Sequence, residues 1–410
     1  MNKIPNGWKE KKLKYIAEIT SSKRIYEYEY VDSGIPFYRG KEITALKNNQ
    51  KIENFIYISE KRYNELKEKY GVPSKYDILI TAVGTVGNAY TIEDDKPFYF
   101  KDGNLLWLKN IKEYPKFVEY LFECNKNILL NNFFGSVQHA LTISRLENLT
   151  FYFPPLDEQK RIASALSKID AYLENTIKLI EEKERFKRGI AKKLLTCKEG
   201  ENIPEARFKG FEDEWMEVAI SKIGTIITGN TPSTKNESFW NGNNVWVTPT
   251  DVKQKYISNS ERKLTDDGLK KSRKLPANTL LITCIANIGK NAILKCEGAC
   301  NQQINAIIPN KNYNVDFLYY LFENEKSYLK FKAPQSVIKI MSKSEFSKLV
   351  FKFPLLEEQE KIGEYLSLLD KEIDNLKKQK ELIKEMKIGA MQKLLSGEVR
   401  LSKNAFNENI

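Results

Sequence analysis

The chain repeats itself at an offset of 200 residues, and this duplication constrains its fold more than any bulk property. Residues 153–196 begin Phe153-Pro154-Pro155-Leu156-Asp157-Glu158-Gln159, and residues 353–396 begin Phe353-Pro354-Leu355-Leu356-Glu357-Glu358-Gln359. No gap is needed through Leu194-Leu195 and Leu394-Leu395, and 17 of the 44 aligned positions are identical, too many for chance. Each copy reads as one long helix. Pro154 and Pro354 stand just ahead of it, where proline is tolerated, and the acidic pairs Asp157/Glu158 and Glu357/Glu358 suit the positive end of the helix dipole. Apolar residues then recur at heptad spacing: Ile162, Leu166, Ile169, Leu173 and Ile180 in the first copy, and Ile362, Leu366, Leu369, Ile373, Leu376 and Ile383 in the second. Lys187 and Lys387 interrupt the pattern near the far ends. About 38 residues at 1.5 Å each span roughly 57 Å, long enough for the two helices to pair as an antiparallel coiled coil.

The segments between the helices also repeat, more loosely. Residues 117–123 match 317–323, and 78–87 match 280–289, with Trp8 and Trp215 at the start of each half. Apolar, β-branched runs separated by glycine-containing turns read as strands, and 117–131 and 317–331 read as helices. The expected fold is α+β: two mixed α/β domains alternating with two long helices, related by an approximate two-fold axis. The boundaries are 1–152 for the first domain, 153–199 for the first spacer helix and 200–207 for a linker. They continue as 208–352 for the second domain, 353–397 for the second helix and 398–410 for a tail. The helices match well and the globular parts poorly: Ser21 to Tyr26 stands where the second half has Thr228 to Ser233. A shared scaffold with different heads suits a linear ligand with two unlike, separated sites, and duplex DNA is such a ligand.

Composition agrees and excludes some classes. A net charge of +12 favours a polyanionic partner. No run approaches the roughly 18 apolar residues of a membrane helix, and the first residues lack the apolar core of a signal peptide. Five cysteines, odd in number and sparse, read as reduced thiols in the cytoplasm.

On the repeated helix starts, the helix ends Lys193-Leu194-Leu195 and Lys393-Leu394-Leu395, and the order of domains and helices, the chain resembles the specificity subunits of type I restriction–modification systems. The stretches Gly229-Asn230-Thr231-Pro232-Ser233, Trp240-Asn241-Gly242 and Val245 to Val252 add to the likeness, with a looser version at Gly34 to Ile43. The resemblance implies a non-catalytic, DNA-binding subunit of a DNA adenine methyltransferase/restriction endonuclease complex. It implies one target-recognition domain per half of an asymmetric bipartite site in double-stranded DNA. It further implies helices that set the spacer and dock two modification (methyltransferase) subunits, with restriction (motor–nuclease) subunits besides. S-adenosylmethionine is then expected on the modification subunits, and no cofactor on this chain.

Catalytic signatures are missing from the sequence. The Asn/Asp-Pro-Pro-aromatic loop of an adenine methyltransferase is not met at Pro154-Pro155, which Phe153 and Leu156 flank. Gly289-Lys290 fails as a phosphate loop because Cys284 and Asn291 occupy the positions of its first glycine and its hydroxyl residue. Gly84 and Gly87 read as tight-turn glycines. One histidine, His139, cannot build a metal cluster or a catalytic triad alone, and the cysteines lack zinc spacing, so neither catalytic nor metal-ligating residues are expected. Basic residues for phosphates and amide or hydroxyl residues for base edges, in loops beside the repeated motifs, are the candidate DNA contacts. They are Arg39, Lys41, Lys101, Gln138 and His139 in the first domain, and Thr248, Thr250, Lys290, Gln302, Gln303 and Lys339 in the second. Tyr38 and Trp246 fit core packing better than base stacking. Helix pairing is expected through Ile162, Leu166, Ile169 and Leu173 with Ile362, Leu366, Leu369, Ile373 and Leu376. Two other classes stay open at this point: a DNA methyltransferase or nuclease with an unrecognised site, and a coiled-coil scaffold without nucleic acid.

Overall fold

The computed structural model describes residues 5–130, 140–333 and 340–401. Two compact units emerge: residues 1–176 with 379–410, and residues 177–378. Each is described by itself.

In the first unit, four antiparallel strands form a sheet in the order Glu18–Thr20, Leu105–Lys109, Ile78–Thr81, Ala89–Thr91. The central Ile78, Leu79 and Ile80 have no exposed surface, which is why that run is apolar without alternation. Helix Pro115–Cys124 belongs to the same core through Phe117, Val118, Tyr120, Leu121 and Phe122. It ends at Asn125, and a short helix Lys126–Leu130 follows, so the run read as one helix over 117–131 is broken. A second small sheet holds Tyr30–Val31, Ile56–Ile58, Ile35–Tyr38 and Tyr99–Phe100. Strand Lys9–Lys12 pairs with Thr150–Phe153, tying the start of the domain to the residues that lead into the first long helix.

The second unit repeats this plan. Its main sheet runs Gly224–Thr228, Ile304–Pro309, Thr279–Thr283, Asn291–Leu294, with Tyr256–Ile257 added in parallel at the edge. Helix Val315–Asn324 covers it, and helix Lys326–Lys332 follows after a break at Glu325, so the run 317–331 is divided like its counterpart. Trp240–Val247 centres the small sheet, and Met216–Ala219 pairs with Val350–Phe353.

The long helices are Leu156–Leu195 and Leu356–Leu395, each 40 residues, or about 60 Å. Each unit contains segments of both. In the first unit Asp170 meets Lys387 at 2.8 Å and Tyr172 Oη accepts from Gln379 Nε2 at 2.7 Å. In the second Lys183 meets Glu372 at 2.8 Å and, further along, Lys187 meets Asp370. Ion pairs also join Glu158 to Arg400, and Arg207, just past the first helix, to Glu358 at 2.7 Å. Within each unit residue numbers rise on one segment as they fall on the other, so the helices pack antiparallel. Ile162, Leu166, Ile362, Leu366, Leu369 and Ile373 are buried, while Ile169, Leu173 and Leu376 are half-buried. Ile162 and Leu166 share a cluster with Phe117 and Phe153 of their own domain as well as Leu394 and Leu395. The start of the helix is therefore also part of the domain core.

The repeated Glu-Gln pair has a structural cause. Gln159 and Gln359 are almost wholly buried. Each donates from Nε2 to the carbonyl five residues back, Pro154 or Pro354, at 2.9 Å. Each accepts at Oε1 from a backbone N–H ahead of the covering helix, Tyr114 at 2.9 Å or Asn314 at 3.0 Å. Glu158 and Glu358, equally buried, are clasped by the guanidinium groups of Arg400 and Arg207. Arg207 lies in the stretch read as a linker and Arg400 in the stretch read as a tail.

Candidate nucleic-acid interface

One turn is built alike in both domains. In the first it follows strand Ile78–Thr81. Thr81 Oγ1 donates to the Thr85 carbonyl and accepts from Asn88 N–H at 2.9 Å, while Gly87 N–H donates to the Thr81 carbonyl at 2.8 Å. In the second, Thr283 Oγ1 donates to the Asn287 carbonyl at 2.5 Å and accepts from Lys290 N–H at 3.0 Å. Gly289 N–H donates to the Thr283 carbonyl at 2.9 Å. Buried Val86 and Ile288 anchor the turns, which leaves 83–85 and 286–287 exposed. Gly84 has φ +77, suited to glycine, whereas Ala286 takes φ +59 with a side chain.

Three further segments join this turn in each domain. Ala82 N–H donates to Asn104 and Cys284 N–H to Gln303, both at 2.8 Å. Leu141 N–H donates to Ala82 and Met341 N–H to Cys284, both at 2.9 Å. Lys101 N–H donates to Tyr38 and Asn301 N–H to Val247, again at 2.9 Å. After Tyr38 and Val247 the chain turns under a carboxylate three residues further on. Arg39 N–H donates to Glu42 at 2.9 Å, and Thr248 N–H to Asp251 at 2.8 Å. Each domain thus carries one rim made of equivalent segments.

The sequence candidates among the described residues fall on these rims. Arg39 and Thr248 are equivalent, as are Lys41 and Thr250. Lys101 opens the turn at 101–104 as Asn301 opens the one holding Gln302 and Gln303. Lys290 closes the 284–290 turn. Their freedom differs. Arg39 is held in a fork by buried Glu42, with Nη2 to Oε1 at 2.8 Å and Nε to Oε2 at 3.2 Å. Burial would push the Glu42 carboxyl up, but Arg39 outweighs this and holds it below its ordinary value. Arg39 is thus a structural partner as well as a rim cation. Lys41 and Thr250 are exposed. Gln302 accepts from Thr231 Oγ1 at 2.5 Å, and Gln303 Oε1 accepts from Asn301 Nδ2 at 2.9 Å. Gln138, His139 and Lys339 lie outside the described residues. Trp246 is buried and its indole N–H holds the Asn230 carbonyl at 3.1 Å; Tyr38 stacks on Phe98 at 4.7 Å.

Sequence reasoning missed one rim pair in the first domain. Arg24 Nε donates to Asp102 at 3.0 Å, where the second domain has Thr231 and Gln302. Ser21 to Tyr26 against Thr228 to Ser233, the contrast visible in the sequence, marked the segment but not its partners. The two domains hold this point with an ion pair in one and a neutral hydrogen bond in the other. Such rims can offer cations to phosphates and amides, hydroxyls and guanidinium groups to base edges.

The domains are wired to the helices. Tyr120 Oη donates to Asp170 at 2.6 Å, and Lys387 bridges Asp170 to Glu123 at 2.7 Å, with Lys47 on the other Glu123 oxygen at 3.2 Å. In the second unit Tyr320 donates to Asp370 at 2.5 Å, and Lys187 pairs with the same carboxylate. These two lysines are the heptad interruptions. Nearby, Lys255 is enclosed by Tyr256, Tyr319 and Tyr320 and pairs with Asp316 at 2.7 Å. Among the described residues no group of His, Cys, Asp and Glu could hold a metal ion, and no helix is long and apolar enough to cross a membrane.

Comparisons with known proteins agree with this architecture. The family described as "Type I restriction modification DNA specificity domain" matches residues 5–182 and 212–385. A putative type I restriction enzyme MjaX specificity subunit of Methanocaldococcus jannaschii is 25% identical over 98% of this chain and 96% of its own length. The MjaIX specificity subunit of the same organism is 36% identical, with 42% of each chain covered, so that alignment spans under half of the relative. Among solved structures, one of a study of type I R-M complex assembly aligns with TM-score 0.62 at 16% identity, covering 97% of this chain and all of the other. The S subunit from M. genitalium aligns at 0.57 and 17% identity, covering 96% and 97%. At these identities the structural likeness concerns the fold alone.

Proposed function

This chain belongs to the type I restriction–modification DNA specificity domain family, and from that premise we propose that it is the non-catalytic, DNA-reading subunit of a type I restriction–modification enzyme. The observation that carries the reading is the pair of rims: one hydrogen-bond framework, built twice, bearing different polar groups. Each rim reads one half of an asymmetric bipartite site in double-stranded DNA. Exposed cations such as Lys41 take phosphates, and Thr250, Gln302 and Arg24 face base edges. The long helices set the spacer and dock two modification subunits, which carry S-adenosylmethionine and methylate adenine; restriction subunits join these in the cytoplasm. Apolar side chains left exposed on the helices support docking: Leu382 and Met386 in one unit, Leu179 and Phe186 in the other. A surface with no partner rarely leaves such residues in helical succession.

Methylation mapping of DNA from cells carrying this chain and its partners tests the reading, and a bipartite motif is expected. Exchanging the two globular domains while keeping the helices should produce a new bipartite motif. An unchanged motif would refute the modular assignment, and methyl transfer by the purified chain alone would refute the non-catalytic one.

A further inference from the structure

The two rims differ in one respect that the repeat does not foreshadow. In the first domain, helix Gly40–Lys47 follows the rim, and its residues occupy the space behind the 82–88 turn. Lys47 pairs with Glu123 at 3.2 Å, Thr44 Oγ1 accepts from Asn88 Nδ2 at 3.1 Å, and Asn88 Oδ1 accepts from Lys126 at 2.6 Å. There Lys47 has a carboxylate partner and Lys126 an amide oxygen. In the second domain the equivalent chain, 248–255, is a loop. The space behind the 284–290 turn is an open cavity of ≈ 370 Å³, bounded by Lys253, Lys290, Lys326, Asn291, Tyr319 and Glu323. Glu323 is already neutralised: Lys326 lies 2.8 and 3.0 Å from its two oxygens, and Asn291 Nδ2 donates to it at 2.9 Å. Lys253 and Lys290 have no carboxylate partner among the described residues. Two lysines thus line one cavity whose single carboxylate is already taken by a third, beside the exposed residues 286–287 and just past Thr248 and Thr250.

Resting on the DNA-reading assignment, we propose that this cavity is a phosphate site of the second domain alone, taking one DNA backbone phosphodiester beside the second half-site, with Lys253 and Lys290 as its ligands. Two ammonium groups on flexible stems suit a phosphate oxygen as point charges, without the planar geometry an arginine would impose. In the first domain helix Gly40–Lys47 stands where the second has the loop 248–255, so the two half-sites are held unequally.

The test uses the assembled modification complex and a duplex carrying its methylation site. The dissociation constant is measured across a salt series for the wild type and the Lys253→Gln/Lys290→Gln double variant. With one DNA phosphate fewer neutralised, the slope of log affinity against log salt should fall by about 0.9. Single methylphosphonate replacements, scanned through the second half-site and its flank, should reveal one position that weakens the wild type several-fold and leaves the double variant unaffected. Lys253→Arg/Lys290→Arg should keep the wild-type slope. Identical slopes and identical methylphosphonate profiles, with site-specific binding intact, would overturn the phosphate site and leave the reading function standing. If the double variant instead loses calorimetric binding of inorganic phosphate while no methylphosphonate position matters, the cavity serves a free phosphate and the DNA assignment is wrong. Loss of sequence preference in the wild-type complex itself would overturn the function on which the proposal rests.

Discussion

Replacing Gln359 with leucine should destabilise the second unit far more than a buried, roughly isosteric change ordinarily does. Gln359 is 1% exposed and satisfies three backbone groups. Its amide donates to the carbonyls of Pro354 at 2.9 Å and Asn312 at 3.2 Å, and its carbonyl accepts from Asn314 N–H at 3.0 Å. Leucine fills a similar volume but leaves all three groups without a partner. Each such orphan costs about 1–2 kcal/mol in a buried site, so the destabilisation should be about 3–6 kcal/mol. For a unit of this size that corresponds to a melting temperature lower by roughly 6–24 °C. Calorimetry of the full chain measures it. Hydrogen exchange at the start of helix Val315–Asn324 localises it, since the N–H of Asn314, its N-cap, is deprived of its acceptor. A change below about 0.5 kcal/mol, the scale of an ordinary surface substitution, would refute the view that the repeated glutamine is a structural clasp. Gln159→Leu should cost at least as much in the first unit, because Gln159 Nε2 also donates to Glu113 at 2.6 Å.

Arg207→Ala should cost about 3 kcal/mol by leaving the buried Glu358 carboxylate unpaired, and Arg207→Lys should recover only part of it, because a lysine cannot form the fork of two parallel bonds; urea titration reads both. Burial pushes the Glu123 carboxyl up, but Lys47 and Lys387 together hold it below its ordinary 4.5, so its stabilisation is complete above that value and lost as pH falls through the depressed one. The melting-temperature difference between wild type and Lys387→Met should therefore be flat near neutral pH and shrink only in acid; a difference that grows on acidification would contradict this. Burial pushes the Cys284 and Cys300 thiols up to about 11 and about 12, so iodoacetamide should label them far more slowly than unfolded controls at mildly alkaline pH. Arg39→Ala should lower the thermal stability of the first unit as well as DNA affinity, since it frees buried Glu42, whereas Thr250→Ala should change DNA binding alone.

The long helices were legible because a 200-residue duplication and a 3.5-residue apolar period need no tertiary information. The strand runs 78–81 and 279–283 were legible for a related reason, since strands buried on both faces are apolar throughout. The rims were legible only in part. Arg39 with Thr248, and Lys41 with Thr250, were chosen from separate motifs, and the fold shows each pair to be one position. Residue type could not show that Arg39 is gripped by Glu42 while Lys41 is exposed. That depends on how deeply a neighbouring carboxylate is buried.

What the sequence determined by itself was the plan: two unlike heads, two like helices, and the residues at which the copies correspond. What only the tertiary structure decided was which charges are satisfied. Lys187 and Lys387 look like flaws in a heptad until Asp370 and Asp170 stand opposite them. Arg207 and Arg400 break the 200-residue register because each follows one long helix and clasps the start of the other. The empty space by Lys253 and Lys290 exists because a loop in one head replaces a helix in the other. Charge pairing acts over a few ångströms between residues far apart in the chain, and distance along a sequence carries no record of it.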